Sequence, residues 1–113
     1  MGKPRFVEMK LEEIKDLVSL LQNKGWSGIK VRTKIKESSG TFDIIAHSKG
    51  MLKKTMLVII STDIYDAQIA NMIFDGVPKK YLKMILLEEG DPFFVEHSDD
   101  IKILTNADNF PDA

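Results

Sequence analysis

The residues best suited to chemistry in this chain are a few carboxylates and one histidine. Asp43 sits inside Phe42-Asp43-Ile44-Ile45-Ala46, an acidic group on an otherwise apolar run. His47 follows four residues later, which returns to the same face of an extended strand. Glu12 and Glu13 stand at the start of a periodic apolar segment. Hard oxygen donors of this kind hold Mg²⁺ or Mn²⁺ and activate water for phosphodiester hydrolysis. Plainer roles compete at every position. Asp43 can anchor neighbouring backbone, His47 can be an ordinary strand-end residue, and the two glutamates complement a helix dipole. Those plainer roles are the expected ones, and no metal site is assigned.

Two further groups of side chains could bind a partner. Lys30, Arg32, Lys34 and Lys36 occupy every second position of Ile29-Lys30-Val31-Arg32-Thr33-Lys34-Ile35-Lys36. On a strand they fall about 6.6–6.8 Å apart on one face. With Lys49, Lys53 and Lys54 on an adjacent turn, such a ladder can follow a phosphate backbone. It also matches a solvated strand whose lysines guard an edge. Phe93 and Phe94 form the other group, flanked by Glu88, Glu89, Asp91, Glu96, Asp99 and Asp100. An acidic rim around exposed aromatics makes a protein-binding surface, whereas buried phenylalanines would simply be core.

Composition removes several classes. The chain has no cysteine and only two histidines, so disulfides, thiolate catalysis and Cys/His zinc sites are excluded. No apolar run approaches the roughly 20 residues that span a bilayer, and no signal-peptide core is evident; a cytoplasmic protein with no membrane partner is expected. Net charge is −1, but residues 1–56 hold 12 Lys/Arg against 6 Asp/Glu, while residues 57–113 hold 4 against 11. That asymmetry points weakly to a polyanion or an acidic partner for the first half.

The elements that must position these groups follow from periodicity. Leu11, Ile14, Leu17, Val18 and Leu21 recur at helical spacing between Lys10 and Lys24, with Gly25 placed to end the helix. Residues 29–36 and 41–47 read as a hairpin around Ser38-Ser39-Gly40. Residues 55–61 are a wholly apolar, central strand. Ser61-Thr62-Asp63 caps a second helix, in which Tyr65, Ile69, Met72 and Ile73 form the expected apolar face. Tyr81 to Glu88 completes a right-handed β-α-β unit. Residues 93–95 and 101–104 add either two short strands or one strand and a turn. The predicted architecture is a single α/β domain in α+β order, an α-β-β-β-α-β core with a mixed four- to five-stranded sheet. It spans residues 1–105, with 106–113 as a flexible tail.

This order, with three short strings, resembles the restriction-endonuclease-like core in its Mrr-like and archaeal Holliday-junction-resolvase-like branches. The strings are Gly25-Trp26 after the first helix, Thr41-Phe42-Asp43-Ile44-Ile45-Ala46, and Leu57 to Thr62. The resemblance implies an Asp and a Glu holding a divalent cation and a Lys helping to activate water. Asp43 matches the Asp, but Ile59 stands at the Glu position and Ser61 at the Lys position. The expectation is therefore a degenerate scaffold without cofactor: a non-catalytic binding or assembly module, presenting its basic hairpin to nucleic acid or an acidic protein. Fold analogy adds a homodimer. One alternative is a nuclease using Mg²⁺ or Mn²⁺ at a migrated site built from Asp43, Glu12 or Glu13, and His47. Another is a protein-interaction subunit acting through Phe93 and Phe94.

Overall fold

The first helix, α1 (Leu11–Asn23), ends as its sequence dictates. Gly25 takes φ +97°. The amide of Trp26 bonds to the Leu21 carbonyl at 3.0 Å and that of Gly25 to Gln22 at 3.0 Å, a Schellman closure. The computed structural model describes residues 11–50 and 53–113, with the side chains of Leu11 and Glu12 outside the description. The predicted helix start at Lys10 and the candidate carboxylate of Glu12 thus lie outside the described residues.

Five strands follow in one sheet: β1 (Ser27–Lys34), β2 (Thr41–His47), β3 (Thr55–Ser61), β4 (Leu82–Leu87) and β5 (Ile101–Leu104), in spatial order β1-β2-β3-β4-β5. β1, β2 and β3 pair antiparallel, whereas β3, β4 and β5 run parallel. Helix α2 (Ile64–Asp75) makes the crossover from β3 to β4. Its first turn is closed reciprocally: the Asp66 amide donates to Asp63 Oδ1 at 2.9 Å, and the Thr62 amide to Asp66 Oδ2 at 2.9 Å. The molecule is a single α+β domain with the α-β-β-β-α-β core read from the sequence. Residues 92–94 form a 3₁₀ turn and only 101–104 a strand, which decides between the two readings of the C-terminal region.

The sheet is covered on both faces. On one side α2 packs Ala67, Ala70 and Phe74 against Phe42, Leu57, Ile59 and Ile85, with the Phe42 and Phe74 rings 5.6 Å apart. On the other, Leu17, Leu21 and Trp26 meet Ile44, Met56, Val58, Met84 and Phe110. Residues 106–113, read from the sequence as a loose tail, are part of this second layer. Phe110 is 2% exposed. Trp26 Nε1 donates to the Pro111 carbonyl at 2.8 Å, and the Ala113 amide to Lys24 O at 2.9 Å. Burying a ring of that size contributes about 2–3 kcal/mol, enough to hold an otherwise polar segment down. Among the described residues no helix is long and apolar enough to cross a membrane.

Candidate functional site

Asp43 owes its surroundings to a change of side in both strands of the hairpin. The register, Val31 opposite Ile44 and Thr33 opposite Phe42, sets Arg32 across from Asp43. Arg32 takes φ +55°. Before it Ile29 packs on the α1 side, and after it Ile35 packs on the α2 side. In β2, Phe42 and Ile44 likewise lie in opposite layers although only two residues apart. The β2–β3 ladder accordingly stops at Ile44 opposite Val58. Beyond that point the Asp43 carboxylate replaces a backbone acceptor, taking the Ile60 amide at 2.6 Å. Asp43 is 6% exposed.

The other positions implicated with it are dispersed. Ile59 and Ser61 are fully buried, and the Ser61 hydroxyl has no hydrogen-bond partner. His47 Nδ1 lies 3.1 Å from Thr55 Oγ1, and its ring covers Gly28, where a Cβ would approach to 3.1 Å. Glu13 is exposed and lines a separate cleft of about 300 Å³ with Asp16, Leu17, Ile60, Leu86 and Glu88. No group of three or more His, Asp or Glu that could hold a metal occurs among the described residues.

The turn at Arg32 also divides the basic ladder. Because the strand changes side there, Lys30 and Lys34 do not continue one row. Lys53 and Lys54 are exposed beyond the Ser27 end of β1, where Ser27 pairs with His47, while Lys34 and Lys36 lie at the Thr41 end. These ends are separated by about 20 Å of strand. Strict alternation in the sequence holds only while every residue keeps φ negative, and Arg32 breaks that condition.

Phe93 and Phe94 stand on the surface, 84% and 63% exposed, with rings edge-to-face at 5.4 Å. Asp91 Oδ1 accepts from the Phe93 amide at 2.9 Å, and Pro92 starts the 3₁₀ turn. Gln68 Nε2 donates to the Phe94 carbonyl at 3.4 Å, tying the turn to α2. Beside it Gly90, at φ +104°, abuts Ile64, where a Cβ would come within 2.8 Å. Gly90→Ala is therefore expected to cost about 2 kcal/mol by denaturant unfolding, from left-handed backbone plus contact.

Of the apolar face expected on α2, only Ile73 packs against the core. Tyr65, Ile69 and Met72 are 77%, 42% and 73% exposed, and the helix instead buries Ala67, Ala70 and Phe74. Alanines let the helix approach the sheet closely, and Phe74 fills the remaining gap. The signal was present in the sequence: Asp66, Gln68, Asn71 and Asp75 separate two apolar stripes on α2, of which only one can face the sheet.

Lys83, inside the run Leu82-Lys83-Met84-Ile85, is 4% exposed. Its Nζ donates to Asp100 Oδ2 at 2.7 Å, beside a cleft of about 370 Å³ lined by Phe74, Asp75, Lys79 and Ser98. That hydrogen bond holds the Asp100 carboxyl below its ordinary range. The Glu37 carboxyl is lowered likewise, first by the Tyr81 hydroxyl at 2.9 Å and then by Lys80 at 3.2 Å. No family model, curated protein or solved structure matches the chain.

Proposed function

We propose that the chain is a non-catalytic binding module on a nuclease-like scaffold, and that it works through the surface formed by α2 and the 92–94 turn. The observation that carries this is the exposure of Tyr65, Ile69, Met72, Phe93 and Phe94 on two segments bonded to one another. Single exposed apolar residues are ordinary; five of them on two bonded segments are characteristic of an interaction surface. The order of elements supports the scaffold. The use of the Asp43 carboxylate as a backbone acceptor, with uncharged, buried side chains at Ile59 and Ser61, supports the absence of hydrolytic chemistry.

A chemical-shift titration tests the proposal. Neither Mg²⁺ nor Mn²⁺ is expected to move the amides around Asp43. An apolar fluorescent dye is expected to move those of residues 64–72 and 92–95. Nucleic-acid cleavage that needs Mg²⁺ or Mn²⁺ and disappears in Asp43→Asn would overturn it.

A further inference from the structure

We infer that the surface of α2 and the 92–94 turn docks a basic amphipathic helix of a partner protein. The inference rests on the binding reading above and adds the chemistry of the occupant. Charge supplies the argument. Asp66, Glu89, Asp91 and Glu96 each lie within four residues in sequence of an apolar member of the surface. Glu89, Asp91 and Glu96 are exposed and Asp66 half-buried, while Asp75 lines the cleft of Lys79 and Lys83. Asp66 Oδ2 accepts from the Thr62 amide and Asp91 Oδ1 from the Phe93 amide, which holds both side chains in place. The nearest cations in sequence, Lys79 and Lys80, lie beyond the end of α2, and Lys80 pairs with Glu37 at 3.2 Å.

An apolar surface whose segments carry exposed carboxylates selects a partner with an apolar stripe flanked by Lys or Arg. A second copy would set one group of carboxylates against another, and an anionic membrane would be repelled in the same way. Shape favours a helix. Tyr65, Ile69 and Met72 follow i, i+4, i+7 spacing and form a ridge about 10 Å long. The turn that carries Phe93 and Phe94 is bonded to this helix through Gln68, so a partner helix can set its own i, i+3, i+4 and i+7 anchors along the ridge. At roughly 200 Å² per large side chain, the five exposed fractions amount to about 700 Å². One side of a stable complex contributes about 800 Å².

The test uses two fluorescent helical peptides of identical leucine spacing, one with lysine and one with glutamate at the remaining positions. The full chain is expected to bind the lysine peptide saturably. Affinity should fall about tenfold or more in Phe93→Ala/Phe94→Ala. In Asp91→Asn/Glu96→Gln the salt dependence should flatten while the apolar contribution remains. All four positions are exposed, and unchanged thermal melts confirm that each variant folds. Equal binding of the glutamate peptide overturns the charge selection and leaves the apolar surface standing. So does sedimentation showing self-association through Met72 that excludes the peptide, because the occupant is then a second copy. If neither peptide binds and the chain does not self-associate, both this inference and the binding reading fail.

Discussion

Asp43→Ala lowers the free energy of unfolding by about 3 kcal/mol, measured by urea denaturation, while Asp43→Asn costs about 1. The difference follows from what the carboxylate does. β2 leaves its ladder with β3 after Ile44 opposite Val58, yet the Ile60 amide remains inside the sheet. Its acceptor is Asp43 Oδ2 at 2.6 Å. Alanine removes that acceptor and strands a buried donor, which costs more than an average hydrogen bond contributes. Asparagine keeps a carbonyl oxygen at the same reach. A metal ligand behaves oppositely: neutralising one carboxylate of a cation site abolishes hydrolysis and relieves repulsion in the metal-free protein. Equal or greater stability in Asp43→Ala would therefore rule out the anchoring role.

Asp100→Ala destabilises the fold by about 3 kcal/mol, and adding Lys83→Met recovers most of that loss. Lys83 lies in the α2-side layer at 4% exposure, and its ammonium is held by Asp100 at 2.7 Å. Removing the partner leaves a buried charge uncompensated, whereas removing both restores an apolar strand. The figure sits at the low end for buried pairs because the Asp100 side chain is 30% exposed. The same pair sets a pH dependence. The Asp100 carboxyl titrates below its ordinary value of 3.8 because of the Lys83 hydrogen bond. Its contribution is therefore present above that value and is lost as pH falls through the lowered one. Stability measured between pH 5 and pH 2 should decline, and Asp100→Asn should flatten part of that decline. A decline of the same slope in the variant would show that other carboxylates control it.

The assignment of elements was legible because local pattern and final structure agree. Leu11 to Leu21 carry one helical stripe, Gly25 the left-handed closure, and residues 41–47 and 55–61 the strands found there. Thr62-Asp63 before a helical run was a sufficient start signal, since the cap needs only local chemistry. The faces of those elements were less legible. β1 reads as an uninterrupted alternation, and nothing in Val31-Arg32-Thr33 announces a residue at φ +55°. That conformation costs an L-residue about 1–2 kcal/mol locally, and the packing of Ile29 and Ile35 into opposite layers helps to offset it.

The candidate site divides in the same way. The sequence alone determined that Asp43 lies on an apolar strand, that its neighbours at 59 and 61 carry no charge, and that Phe93 and Phe94 sit among carboxylates. These are statements of composition and spacing, which survive any fold. Only the tertiary structure decided that the Asp43 carboxylate meets a backbone amide, that Lys83 is buried against Asp100, and that α2 turns its alanines inward and Tyr65, Ile69 and Met72 outward. A helix with two apolar stripes has no preferred face until a sheet of definite shape is set against it. Close approach then favours the smallest side chains at the contact, and the larger ones are left at the surface.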